Sequence, residues 1–129
     1  EALDFILKAT KVGNGTEIFV PKLRSYSILD VKNALTQILT DTGYEEIGIR
    51  PGEKLHETLI NADEMRYGYE IENMYMILNP LFENFYDDSI SNIYPNSKKI
   101  TNYQNYSSES VERIPIEELK QIIKNSNLI

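Results

Sequence analysis

The sequence contains no cysteine and a single histidine. Without cysteine the chain can form neither disulfides nor thiolate metal sites, which fits a reducing compartment. Basic residues are also few, with 13 Lys and Arg against 20 Asp and Glu. The net charge of −7 disfavours nucleic-acid binding, because phosphates require a basic surface. No apolar run approaches the roughly 20 residues that span a bilayer, and no signal peptide is visible. These absences predict a cytoplasmic protein that binds neither nucleic acid nor membrane.

The beginning of the chain is unusual for a complete protein. The first residue is Glu1 rather than methionine, and residues 2–11 show a helical pattern at once, with no capping residue before them. We therefore expect that a preceding part of the protein is absent from this sequence. The 129 residues fit one domain or a large piece of one, and 41% hydrophobic and 26% charged residues are typical of a globular protein.

Hydrophobic periodicity predicts helices alternating with short strands. Residues 1–12 and 27–40 carry apolar side chains at helical spacing, and Ser27 suits the N-cap of the second helix. Residues 17–20 and 47–50 are predicted to be short strands, each closed by a proline. We predict a further helix at 53–60 and a further strand at 74–78.

The second half of the chain changes character after residue 78. Residues 79–107 are rich in Asn, Asp, Ser and Tyr and predict a long loop or extended arm. Residues 108–129 form a carboxy-terminal helix and tail, in which Ile116, Leu119, Ile122 and Ile123 share one face. We expect this face to dock on one of the two preceding helices or on a neighbouring subunit. The predicted division is an α/β lobe at 1–78, the arm, and the tail.

The sequence GIRPGEKLHE at 48–57 holds the densest group of chemically capable residues. Arg50 stands before a Pro-Gly turn, and a guanidinium offers a phosphate two parallel N–H donors. Backbone N–H groups at the start of a following helix would add to this attraction. Glu53 would repel a phosphate and suits ribose hydroxyls instead. From the residues alone, a surface turn with an Arg–Glu pair of little energetic value is the alternative.

Three stretches resemble the polysaccharide-biosynthesis branch of the extended short-chain dehydrogenases/reductases. They are IRPGEKLHETLI with the acidic residues after it, EIFVPKLRSYSILDVKNAL before it, and YSSESVERIPIEELKQII near the end. The branch includes inverting UDP-N-acetylglucosamine 4,6-dehydratases and related UDP-sugar 4-epimerases. The resemblance covers most of 1–78 and about 103–124, whereas 79–102 resemble nothing in the branch.

The resemblance implies an α/β fold in which this chain is the small substrate-binding lobe, made of short strands with helices. In the family, the Arg and Glu of the RPGE turn contact the nucleotide sugar, which assigns substrate binding to Arg50 and Glu53. Lys22 matches a lysine that follows the family's strand and is assigned to the same site. The family uses NADP to oxidise C4 of the sugar, eliminates water across C5 and C6, and returns the hydride to C6.

The groups that perform this chemistry are missing from the chain. No G-x-G-x-x-G turn is present, and Gly13 and Gly15 precede a predicted strand instead of following one. We therefore assign no catalytic residue here and expect NADP to bind an absent Rossmann domain. Tyr94 and Lys98 satisfy Tyr-x-x-x-Lys by letter, but Pro95 opposes the helix that would place both side chains on one face.

Metal binding is not predicted. Glu53 and His56 have the Glu-x-x-His spacing of carboxylate metal sites, but a single copy lacks the other ligands that such sites require. His56 is predicted to be a helix-surface residue rather than a general base.

The leading prediction is an enzyme part that binds the UDP-sugar of a UDP-N-acetylglucosamine 4,6-dehydratase with C5 epimerisation, in polysaccharide or glycan biosynthesis. It would be inactive alone and would join its own Rossmann domain in a homo-oligomer. A UDP-sugar 4-epimerase shares the RPGE signature, because the residues that distinguish the reactions lie outside this chain. A non-catalytic binding or dimerisation module is the alternative of another class. An initiating methionine just before Glu1 would favour it, whereas about 200 upstream residues with a Rossmann fingerprint would exclude it.

Overall fold

The computed structural model describes residues 2–82 and 90–126, which belong to two compact units. The first unit contains residues 1–23 and 58–106, and the second contains residues 24–57 and 107–129. The parts of the predicted arm and tail at 83–89 and 127–129 lie outside the described residues.

Short helices and strands follow one another along the chain. In chain order they are α1 (Ala2–Val12), β1 (Ile18–Pro21), α2 (Ile28–Ile38), β2 (Thr58–Ile60), α3 (Ala62–Met65), β3 (Gly68–Ile71), β4 (Met74–Ile77), a 3-10 turn (Pro80–Phe82), α4 (Ile90–Ile93), β5 (Lys98–Lys99), β6 (Tyr106–Ser107) and α5 (Ile116–Asn125). The fold is therefore a mixed α/β fold of short elements, as the sequence predicts.

A four-stranded sheet in the order β1-β4-β3-β5 organises the first unit. All its neighbouring strands pair antiparallel, with Phe19 opposite Met76 and Tyr69 opposite both Met76 and Lys99. The predictions of strands at 17–20 and 74–78 are confirmed by β1 and β4. Strand β3 was not predicted, because its sequence Gly-Tyr-Glu-Ile lacks a run of β-branched residues.

The core of the first unit lies against one face of this sheet, where Met74, Met76 and Leu78 alternate along β4 and its continuation. Ile71 and Tyr94 complete the buried cluster. Around it pack the partly buried side chains Phe5, Val12, Phe19, Tyr69 and Ile90. Helix α1 thus turns Phe5 and Val12 toward the sheet, whereas its stripe of Leu3, Ile6 and Leu7 remains exposed. The segment predicted as an arm contributes both Tyr94 to the core and β5 to the sheet.

In the second unit, α5 packs against α2. Ala34 of α2 is fully buried and Leu119 of α5 is 5% exposed, so the predicted docking of the last helix on 27–40 is confirmed. The predicted N-cap is confirmed as well, because Ser27 Oγ accepts a hydrogen bond from the Asp30 N–H at 3.1 Å. The Arg24 guanidinium also forms a bidentate, hydrogen-bonded ion pair with the Glu118 carboxylate.

Two local predictions are wrong. Residues 47–50 form no strand: Gly48 takes φ +73°, outside the extended region, and Ile47 and Ile49 are exposed instead of paired. Residues 53–60 form no helix, and the last three of them make β2. An amphipathic helix is stable only when its apolar face is covered, and Leu55 is 79% exposed.

Candidate functional site

The RPGE turn is closed by its own first and last residues, Arg50 and Glu53. The Glu53 N–H donates to the Arg50 carbonyl oxygen at 3.0 Å, and Glu53 Oε2 accepts the Arg50 N–H at 2.9 Å. Gly52 takes φ +89°, a left-handed conformation that a side chain would strain. The carboxylate therefore has a structural role that the sequence did not indicate: it holds the backbone of the arginine in the turn.

The side chains of the turn face solvent, with the Arg50 side chain 70% and the Glu53 side chain 52% exposed. Their closest approach is 3.9 Å, from Nε to Oε1, which is too long for a hydrogen bond. The guanidinium is thus close to a carboxylate without being hydrogen-bonded to it. The turn can offer a ligand the donors of Arg50 and the remaining oxygen of Glu53.

Ser108 supports the chain just after the turn. Its Oγ accepts the Glu57 N–H at 3.1 Å, and its own N–H donates to the Glu57 carbonyl oxygen at 2.9 Å. His56 Nδ1 lies 3.3 Å from the same hydroxyl. The sequence analysis did not single out Ser108, although it lies in the YSS stretch that resembles the family. His56 is exposed but sits on an irregular segment, so its prediction as a helix-surface residue is wrong.

Lys22 lies in the first unit, directly after β1, whereas Arg50 and Glu53 lie in the second unit. Its Nζ is 3.1 Å from Glu70 Oε2 and 4.9 Å from the ring centroid of Tyr75. Burial raises the pKa of the Tyr75 phenol, so this ring remains a neutral surface beneath the ammonium group. Arg50 and Glu53 thus lie together in one turn, and Lys22 lies in a cluster with Glu70 and Tyr75.

Tyr94 and Lys98 do not share a helical face. Tyr94 follows the end of α4, and Lys98 lies in β5. The Tyr94 hydroxyl donates to Glu17 Oε1 inside the first unit. The prediction that Pro95 keeps these two residues off a common helical face is therefore confirmed.

Residues 2–82 and 90–126 contain neither a metal-binding group nor a membrane-spanning helix. In this part of the chain no three His, Asp or Glu side chains come together in a group that could hold a metal ion. None of the helices described there is long and apolar enough to cross a membrane.

Comparison with known proteins decides the family. The sequence profile of the family described as "Polysaccharide biosynthesis protein" matches residues 1–79, a range that includes Lys22, Arg50 and Glu53. The chain belongs to this family. The match places it in the polysaccharide-biosynthesis branch of the extended short-chain dehydrogenases/reductases, as the resemblance predicts.

Two curated relatives represent the two reactions that the sequence left open. The chain is 35% identical over 112 residues to UDP-N-acetylglucosamine 4,6-dehydratase (inverting) of Campylobacter jejuni subsp. jejuni serotype O:2, a match that covers 85% of this chain and 33% of that protein. It is 28% identical over 131 residues to UDP-glucose 4-epimerase of Rickettsia bellii, covering 100% of this chain and 37% of that protein.

A solved structure supports the fold. The X-ray structure of Pen from Bacillus thuringiensis superimposes with a TM-score of 0.76 at 29% sequence identity, covering 95% of this chain and 34% of that chain. The chain therefore spans about a third of the length of each of these relatives.

Proposed function

We propose that this chain is the UDP-sugar-binding part of a nucleotide-sugar 4,6-dehydratase that acts on UDP-N-acetylglucosamine in polysaccharide or glycan biosynthesis. The observation that carries the proposal is the RPGE turn, in which Glu53 fixes the backbone of Arg50 and leaves the guanidinium exposed. A planar guanidinium that is exposed beside a fixed backbone suits the bidentate recognition of a diphosphate. The second oxygen of Glu53 suits a ribose hydroxyl.

The comparisons support a dehydratase over an epimerase. Identity to the dehydratase is 35% over 85% of the chain, against 28% to the epimerase over the whole chain. A UDP-sugar 4-epimerase remains the second candidate of the same family. The chemistry itself is proposed to reside in the protein's own Rossmann domain outside this chain, and the whole protein is proposed to form a homo-oligomer in the cytoplasm.

The residues of this chain do not fit a nicotinamide cofactor. A dinucleotide site needs a glycine-rich turn that follows a strand and opens a helix, and Gly13 and Gly15 lie instead between α1 and β1. We propose that NADP binds to the part of the protein outside this chain. The role proposed for Arg50, Glu53 and Lys22 is to bind and orient the nucleotide sugar.

The test is steady-state kinetics of the full-length enzyme with UDP-N-acetylglucosamine. We expect Arg50→Ala to raise KM by roughly 10- to 150-fold, because a charge-assisted hydrogen bond contributes about 1.5–3 kcal/mol. Glu53→Gln is expected to have a smaller effect, since the amide oxygen can still accept the Arg50 N–H. Lys54→Ala is the matched control, because it removes a positive charge from the same segment at a position assigned no ligand.

Product analysis separates the candidate functions. A dehydratase yields a product lighter by one water, whereas a 4-epimerase yields one of unchanged mass, and a non-catalytic module yields none. If Arg50→Ala and Glu53→Gln both keep the wild-type KM and kcat, the turn is structural and the site assignment is wrong.

A further inference from the structure

We propose that Tyr106 is a positioning residue that holds Lys22 in place for the nucleotide sugar. This inference rests on the proposed function, because it takes Lys22 as a substrate contact. Tyr106 follows Lys22 by 84 positions in the sequence, and it acts through two separate contacts: a set of hydrogen bonds to the backbone around Lys22, and a ring contact with Tyr75.

The first contact fixes the backbone on both sides of the lysine. The Leu23 N–H donates to Tyr106 Oη, and the Tyr106 hydroxyl lies 3.0 Å from the Leu23 carbonyl oxygen and 3.4 Å from that of Pro21. Lys22 itself lies just beyond the end of β1, and its N–H reaches the Asn73 carbonyl oxygen only at 3.5 Å. The Tyr106 hydroxyl therefore restrains the backbone of this segment, where regular strand pairing has ended.

The second contact fixes the lysine side chain. The Tyr106 ring meets the Tyr75 ring edge-on, with centroids 4.9 Å apart and an interplanar angle of 64°. Lys22 Nζ lies over the Tyr75 ring and forms an ion pair with Glu70. Such edge-on pairs are directional, so Tyr106 restrains the ring that supports the ammonium group.

The result is an ammonium group with a defined position. A lysine ammonium has three N–H donors, and the contact with Glu70 uses one of them. The ammonium lies on the face of the sheet that carries Tyr75 and Glu70, opposite the face on which Met74 and Met76 are buried. The ligand chemistry that fits is an anionic or hydroxyl oxygen of the nucleotide sugar. Because the lysine is ordered beforehand, less side-chain freedom is lost on binding.

The experiment measures KM and kcat of the full-length enzyme with UDP-N-acetylglucosamine. We expect Lys22→Gln to raise KM about tenfold and Tyr106→Phe to raise it about fivefold, both with little change in kcat. Tyr75→Leu is expected to raise KM as well. Tyr75→Phe is expected to keep KM close to the wild-type value, because phenylalanine keeps the ring face. Lys99→Gln is the matched control: it removes a lysine that lies over the Tyr69 ring of the same sheet at 4.5 Å, away from the proposed site.

A double-mutant cycle distinguishes positioning from general stability. If Tyr106 acts through Lys22, adding Tyr106→Phe to Lys22→Gln leaves KM at the value of Lys22→Gln alone. If the two effects multiply, Tyr106 acts independently of the lysine and the inference is wrong, while the proposed function stands. If Lys22→Gln keeps the wild-type KM although Arg50→Ala does not, Lys22 is not in the site and the inference is overturned with it. Should Tyr106→Phe fail to fold, the same cycle with Tyr75→Leu decides.

Discussion

The hydrogen bond between Tyr94 and Glu17 allows a quantitative prediction about the first unit. Tyr94 is 1% exposed, and its hydroxyl donates to Glu17 Oε1. Glu17 Oε2 accepts three backbone N–H groups, from Asn14, Gly15 and Thr16, at 3.0, 2.9 and 3.1 Å. One carboxylate thus orders the connection between α1 and β1 and ties it to the residue that follows α4. Tyr94→Phe fills the same volume and removes only the donor.

The expected magnitude follows from what the variant leaves behind. Loss of a hydrogen bond to a charged group costs about 1.5–3 kcal/mol when the charge is left buried and unsatisfied. Glu17 is only half-buried and keeps its three backbone donors, so solvent and the loop compensate in part. We expect the free energy of local opening to fall by about 1–2 kcal/mol, which corresponds to roughly 5- to 30-fold faster amide exchange.

The effect has a defined dependence on pH. Burial acts to raise the pKa of Glu17, but the hydrogen bonds from Tyr94 and the backbone outweigh it, and the net pKa lies below its ordinary value. A depressed carboxylate pKa contributes stability that is present above the unfolded-state pKa of about 4.3 and is lost as the pH falls through the folded-state pKa. Tyr94→Phe removes one of the hydrogen bonds that lower the folded-state pKa of Glu17, so this pKa moves closer to the unfolded-state value. Wild type and variant should therefore differ at pH 7 and converge in acid.

Hydrogen exchange of the full-length protein, followed by mass spectrometry, is the assay. Peptides that contain residues 13–20 and 94–100 should both exchange faster in Tyr94→Phe, because one bond connects them. The control Tyr103→Phe removes a hydroxyl from a half-exposed tyrosine of the same unit and should change neither peptide. Unchanged exchange in both peptides would refute the reasoning. Equal acceleration in every peptide of the unit would also refute it, since it would indicate global destabilisation.

Two further predictions concern the last helix and the cofactor. Leu119→Ala should lower the free energy of unfolding of the second unit by about 2–3 kcal/mol, because it opens a cavity where α5 meets α2. Urea denaturation measures this change, and Ile122→Ala, at a half-exposed position of the same helix, should lower the free energy of unfolding clearly less. Equal decreases for the two variants would contradict the packing described. In calorimetric titration the 129-residue chain should bind neither NADP nor NAD, since Gly13 and Gly15 do not follow a strand; a micromolar affinity for either would show that cofactor binding was misassigned.

Local patterns predicted those elements whose stability depends on their own residues. Helix α2 begins where Ser27 can accept a hydrogen bond from the backbone N–H of Asp30. Helix α5 begins after Pro115, and Leu119 on its apolar face is buried. Both signals are contained in a few neighbouring residues. The resemblance carried by the RPGE turn likewise led to the family that the comparisons show.

Errors arose where an element depends on residues far away. Residues 47–50 have the apolar alternation of a strand but pair with nothing among the described residues. Strand β3 has a weak pattern but pairs with β4 on one side and β5 on the other. Pairing partners, not propensity, decide such short strands, because a few residues gain little from backbone conformation alone.

The sequence by itself determined the composition, the start of α2 and the identity of the cationic residues proposed to contact the nucleotide sugar, Arg50 and Lys22. The tertiary structure alone decided how each is held. Glu53 reaches Arg50 across three positions of the chain, whereas Tyr106 reaches the segment of Lys22 across more than eighty. No periodicity connects residues at that separation. They meet because antiparallel strands and a packed core bring distant segments within hydrogen-bonding distance, where directional contacts can form.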